Sequence, residues 1–152
     1  MKNTPNRFGD IRLIPTPDGA RFSFADGQPE MDGTLENSVY LSLFCPNWWG
    51  NAVSRTDQRM SSTLQATVNR SKISNQGRLD VIASAQSSLA WMVQTGIASK
   101  VDVSAVIVGV GKMELTVAIE QPTAPREILR YQINWEQQQI ASTSGRIVRE
   151  VV

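Results

Sequence analysis

Glu30, Asp32 and Glu36 form a close-spaced trio of carboxylates, and a pair of carboxylates is the machinery of most glycosidases. That chemistry needs its two acids in different surroundings on either side of a sugar, one of them shielded enough to stay protonated. These three share one polar stretch, so the expectation is solvated, ionised loop charges. Cys45 is a second candidate, as a nucleophile, but a thiol is activated by histidine or by local positive charge. The chain has no histidine, and no Lys or Arg lies within nine positions of Cys45. A small buried thiol is the expected role. The stretch Gly109-Val110-Gly111-Lys112 has some likeness to a phosphate loop, yet Met113 stands where a Ser or Thr is needed and a strand pattern follows. Two glycines between alternating runs mark a hairpin turn.

The absence of histidine also removes a Ser-His-Asp triad, a Cys-His pair and the usual zinc ligands, and the single cysteine rules out an internal disulfide. The sequence predicts no cofactor. A net charge of +1 gives no global reason to expect a nucleic acid. Basic residues are scattered singly and have no aromatic ladder beside them, so a single-strand platform is not expected either. The uncharged runs 37–54 and 82–99 hold Asn, Gln and Ser and are too polar for a membrane span. The start, "MKNTPNRFGD", lacks the apolar core of a signal peptide. A soluble protein made in the cytoplasm and acting without a small-molecule substrate is the resulting expectation.

The elements that would position these residues follow from periodicity. Alternation in 10–14 and 21–24 about Asp18-Gly19 predicts an N-terminal hairpin. Residues 28–37 read as an acidic loop. Residues 37–44 suit a short helix capped by Asn37-Ser38 and stopped by Pro46, although Val39, Leu41 and Leu43 also alternate as in a strand. Val53, Met60, Leu64 and Val68 share a helical stripe, which predicts an amphipathic helix over 53–68. A second helix, 79–94, carries Leu79, Ile82, Ala83, Leu89, Ala90 and Val93 and ends at Gly96 in the left-handed conformation. Its opposite face is Ala, Ser and Gln with hardly a charge, so it is expected to be covered on both sides. Three strands follow, over 101–107, 113–119 and 129–135. Together these make one α+β domain spanning residues 1–152: a hairpin, then two main helices packed on a three-stranded antiparallel sheet.

Two features stand outside that core. In "CPNWWGN" adjacent Trp48 and Trp49 would point to opposite sides of an extended segment, one ring entering the core and the other facing outward. Each ring can cover about 150–250 Å², which makes the outward one a candidate contact with another chain. The tail, 137–152, ends in "GRIVREVV". It either closes the domain's own sheet or forms an arm for pairing with another chain; strand propensity does not separate the two.

Several pieces, taken in order, carry a resemblance: "GDIRLI", "LENSVYLSLFCPNWWGN", "LDVIASAQSSLAWMVQTGIASKVDVSAVI" and "MELTVAIEQP". The chain resembles the baseplate wedge proteins of Mu-like contractile-tailed phages, a family related to the small, so-called lysozyme-like wedge proteins of T-even phages. The match covers most of residues 9–122; residues 126–152 extend beyond it. The resemblance implies a structural virion protein with a fold like the interlocking domain of the tail sheath protein. Such a subunit would bind the larger wedge subunit around the hub and spike proteins and template the first sheath ring by strand exchange. Interface residues expected on this reading are Trp48, Trp49, Val101, Val103, Leu115, Val117, Ile147, Val148 and Val151. The alternative reading is a peptidoglycan-degrading glycosidase of the baseplate, and a small ligand-binding domain built on the Trp pair is a third.

Overall fold

The computed structural model describes residues 10–16, 19–46, 49–53, 55–56, 62–135, 139–142 and 148–150. The N-terminal segment is a compact β meander. β1 (Asp10–Ile11) and β2 (Leu13–Thr16) lead into β3 (Gly19–Phe22), then β4 (Phe24–Ala25), β5 (Gln28–Pro29) and β6 (Met31–Asp32). The expected hairpin joins β2 to β3, with Leu13 opposite Phe22 and Thr16 opposite Gly19. The acidic loop expected over 28–37 is instead two short strands and a helix start. A second Asp-Gly pair explains this: Asp26 and Gly27 have φ of 50° and 75°, which suits the tight two-residue turn between β4 and β5. The chain then returns to pair β6 with β1. Arg12, Ser23 and Glu30 exchange main-chain bonds of 2.8–2.9 Å where the three segments meet.

α1 (Glu36–Phe44) is the short helix, and helical spacing outweighs alternation because Val39 and Leu43, four apart, are the side chains that reach the core. Its start is not capped by Asn37 and Ser38. Asp32 does the capping: one carboxylate oxygen accepts from the Thr34 N–H at 2.9 Å, the other from the Asn37 N–H at 3.0 Å. Asn37 lies within the helix, 4% exposed. Its side chain accepts from the Leu13 N–H at 2.9 Å and donates to the Ile11 carbonyl at 2.8 Å, tying the meander to α1.

Of the helix expected over 53–68, the described residues 53, 55, 56, 62 and 63 are not α-helical. Residues Trp49–Ala52 make a 3-10 turn, Val53 follows it 83% exposed, and the helix, α2, is only Leu64–Arg70. Met60 lies outside the described residues. Of the described members of the stripe, Leu64 and Val68 face the core and Val53 does not. Ser62 sets the late start: its hydroxyl donates to the Leu43 carbonyl and accepts from the Leu64 N–H at 3.3 Å.

α3 (Asn75–Gln94) begins earlier than the apolar pattern indicates, at the Ser74 cap, whose hydroxyl accepts from the Gly77 N–H at 3.1 Å. It stops as expected: Gly96 has φ of 78°. Two tryptophans lock the helices in place. Trp91 of α3 donates from its indole to the Ser42 hydroxyl of α1 at 2.9 Å, and Trp135 donates to the Ser71 carbonyl just after α2 at 2.8 Å.

The sheet is larger than the three strands expected. β7 (Lys100–Gly109), β8 (Lys112–Glu120) and β9 (Arg126–Asn134) form the antiparallel meander, with the Gly111 turn (φ 66°) where a hairpin was predicted. Two further strands share the far side of β9. β10 (Gln139–Ser142) sets Ile140 opposite Ile133, and β11 (Val148–Glu150) sets Val148 opposite Ile128. The tail question is thereby answered: its described strands close the domain's own sheet. One sheet face is buried by the three helices. Met113, Leu115, Val117 and Ile119 of β8 meet Leu129, Tyr131 and Ile133 of β9 and Val81, Ala85, Leu89 and Met92 of α3.

Candidate functional site

Among the described residues β7 is paired on one side only, by β8, and forms the edge of the sheet opposite β10 and β11. Which of its main-chain groups are free follows from the alternation of an antiparallel ladder. Trp135 N–H donates to the Gly111 carbonyl at 2.7 Å, so odd residues of β8 face β9 and even residues face β7. The Glu120 carbonyl agrees, accepting from the Ser99 N–H at 2.8 Å. Asp102, Ser104 and Val106 lie opposite Ala118, Thr116 and Glu114 and are the residues bonded to β8. Val101, Val103 and Ala105 therefore turn their N–H and C=O groups outward, while their side chains lean onto α3.

This edge has little of the protection that edge strands usually carry. Its charges are Lys100 and Asp102, which pair with each other at 3.0 Å at one end. Towards the turn, Val106 is 60% exposed, Val108 52% and Val110 90%, with Ile107 also exposed. The flank of α3 beside it is the apolar stripe that was expected to pack: Leu79 and Val93 are exposed on it, as is Ile97 past the helix end, whereas the small-residue side, with Val81, Ser84, Ala85, Ser88 and Met92, is the one turned to the core. Between helix and edge lies an open groove of about 350 Å³, walled by Gln86, Leu89, Ala90, Val93 and Gln94 of α3 and by Val101. At the other end Arg78 reaches over and donates to the Ala105 carbonyl at 3.4 Å.

Of the interface residues expected from sequence, Val101 and Val103 fall on this edge. Leu115 and Val117 do not: both are 0% exposed, on a strand paired on both sides, and have neither side chain nor main chain to offer. Val148 is in β11 on the opposite edge of the sheet. Trp49 opens the 3-10 turn, and Trp48, Ile147 and Val151 lie outside the described residues. Sequence reasoning missed Arg78 and the apolar tip Val106–Val110; the signal for the tip was the consecutive Val106-Ile107-Val108, where a strand with one wet face should alternate.

Of the three carboxylates expected as solvated loop charges, Glu30 is exposed, whereas Asp32 and Glu36 are half-buried. Glu30 accepts from the buried Ser23 hydroxyl, and Asp32 is occupied by the start of α1. Glu36 keeps 12% of its side-chain surface and faces the Arg12 guanidinium at 3.6 Å. Burial pushes its carboxyl above the usual value of 4.5; Arg12 opposes this and the nearby Asp32 and Glu127 charges add to it. Ionisation of Glu36 thus opposes folding. Its contribution to stability is full below the ordinary carboxylate value and is lost as pH rises through the higher folded value. Glu36→Gln should match the parent in thermal melts near pH 3 and melt higher than it at pH 7; a parent that is more stable at pH 7 would show that the Arg12 pair dominates. Cys45 is half-buried and unpaired with another cysteine.

No curated protein and no solved structure matches the chain. A family model described as Phage protein GP46 matches residues 35–126, from the start of α1 through the whole of β7 and β8 to the first residue of β9. Since that match takes in more than half of the 152 residues, and all of the edge strand with its helical flank, the chain belongs to the phage protein GP46 family.

Proposed function

We propose that this phage protein is a structural subunit of a contractile-tail baseplate, a wedge component without enzymatic activity. It binds the larger wedge subunit around the tail hub and accepts a strand from the first ring of sheath protein. The observation that carries this reading is the outer edge of β7. Three residues there turn their main-chain groups outward between an apolar tip and a helix flank on which Arg78 is the charge that reaches the edge, an arrangement suited to strand addition from another chain. Since the tail strands of this chain pair internally, β7 takes the role that residues 147–152 were expected to share.

Proline substitution separates the two sides of the edge. Val103→Pro removes an outward N–H and no bond to β8, and edge strands tolerate proline in that orientation. The isolated variant should keep its fold by circular dichroism and lose co-purification with sheath protein. Ser104→Pro removes a bond to Thr116 and should unfold the sheet. Normal sheath attachment by a folded Val103→Pro protein would overturn strand addition at β7.

The rival reading, a baseplate glycosidase, draws on the raised pKa of Glu36, a property that a general acid needs. Incubation of the purified protein with peptidoglycan decides it. Release of soluble saccharides that Glu36→Gln abolishes would replace the structural reading.

A further inference from the structure

We propose that the segment added to β7 is recognised at two points, by a large apolar residue opposite Val101 and an acidic residue four positions away, opposite Ala105. This deepens the strand-addition reading above and rests on it. Residues directly opposite one another in a ladder put their side chains on the same sheet face. Val101 and Ala105 both face α3, so the partner residues opposite them face α3 as well. Four residues of strand span about 13 Å, and the two positions meet different surroundings there.

Opposite Val101 the incoming side chain enters the groove between helix and edge. Leu89, fully buried, is its floor, Ala90 and Val93 are its apolar wall, and the amides of Gln86 and Gln94 stand at its rim. No charged residue lines it, so a charged side chain seated there would lose hydration without gaining a partner. A Phe or Leu would exchange water for apolar contact.

Opposite Ala105 stands Arg78. Two of its nitrogens donate to the Asn75 side chain, at 2.9 and 3.2 Å, and the third makes the long contact to the Ala105 carbonyl. Among the described residues no carboxylate lies within ion-pair distance of it; Asp80, two positions on, accepts from Gln76. Because the Ala105 carbonyl points outward, an incoming strand N–H takes that acceptor and releases the guanidinium, which a carboxylate on the same face can then hold. The other charges of the edge, Lys100 and Asp102, neutralise each other and ask for no counterpart. The site therefore favours a strand that is apolar at one end of this four-residue interval and acidic at the other.

Strand direction sets which comes first in the partner, so the test uses both orders. Short fluorescent peptides with an uncharged β-branched core carry Phe and Glu four positions apart, Phe first in one and Glu first in the other. Binding to the intact protein is read by anisotropy, and the place of binding by hydrogen-exchange protection of the β7 amides. One order should bind and protect β7. Changing its Phe to Ala should weaken it about tenfold, the burial of one large side chain. Changing its Glu to Gln should weaken it by about threefold to tenfold, the scale of a charge-assisted bond. Ala90→Phe, which fills the groove, should erase the Phe preference alone. Arg78→Gln should erase the Glu preference alone, and Arg78→Lys should retain part of it; circular dichroism verifies that each variant is folded. Equal binding of all peptides at β7 would overturn the motif and leave strand addition standing. Peptides of both orders that fail to protect β7 would overturn both.

Discussion

Gly77→Ala should cost about 2–4 kcal/mol of stability, against the ordinary expectation that alanine improves a helix by up to about 1 kcal/mol. Gly77 is in the first turn of α3 and is buried. A Cβ built on it would sit 2.0 Å from the Lys72 carbonyl oxygen and 3.2 Å from the Lys72 carbonyl carbon. Both atoms are main chain, so no rotamer change relieves the overlap. Either the start of α3 or residues 71–74 must move. Moving them strains the Ser74 cap and the bond from the Trp135 indole to the Ser71 carbonyl, which holds the end of β9 against the helices. Urea denaturation followed by helical circular dichroism measures the loss. Gln76→Ala, one position earlier and exposed, serves as the control and should stay within about 0.5 kcal/mol of the parent. A neutral Gly77→Ala would mean that the 71–74 turn adjusts freely.

The same glycine illustrates what the sequence conveyed and what it did not. Ser74-Asn75-Gln76-Gly77 reads as punctuation because glycine is a poor helix residue, and the reason it is tolerated, a carbonyl five residues back, is not a property of local sequence. By contrast, the stop at Gly96 and the alternation of Met113, Leu115, Val117 and Ile119 were legible, since each reports a local conformation or a single buried face. The stripe from Val53 to Val68 misled at its start because a spacing of four and seven recurs by chance in a chain that is two-fifths hydrophobic; of its described members Leu64 and Val68 are buried and Val53 is exposed. The acidic run was misread for a related reason. Asp32 and Glu36 have polar context in sequence, but their surroundings come from Arg12, from the start of α1 and from Glu127, whose carboxylate accepts from the Leu35 N–H across 92 residues. As for the candidate site, Val101 and Val103 were expected at an interface on the resemblance, and the alternation of their segment marks a strand. Alternation could not say which strand would be the edge, because that depends on where the tail pairs.

Leu115→Ala should destabilise the isolated chain by about 2–5 kcal/mol, enough to consume much of a stability of about 5–15 kcal/mol. Leu115 is 0% exposed and lies between Ala105 and Tyr131 in the ladder, over the helices. The Tyr131 ring packs edge-on against Phe44 of α1 at 5.2 Å, so the cavity opens in the layer where sheet and α1 meet. Those rings are held on several sides, which limits collapse into the space and puts the cost in the upper part of the range. Val106→Ser makes the useful contrast. Val106 is 60% exposed on the tip of β7, and its replacement should change stability by no more than about 0.5 kcal/mol. In tail assembly the order should reverse. Val106→Ser would weaken partner binding at full foldedness, whereas Leu115→Ala would reduce assembly only in proportion to the protein left folded, with unchanged affinity for that fraction. Equilibrium unfolding and binding titrations on the same preparations distinguish these. A Leu115→Ala protein of parental stability but lower partner affinity would place this side chain at an interface after all, and would require β8 to leave its position between β7 and β9 during assembly.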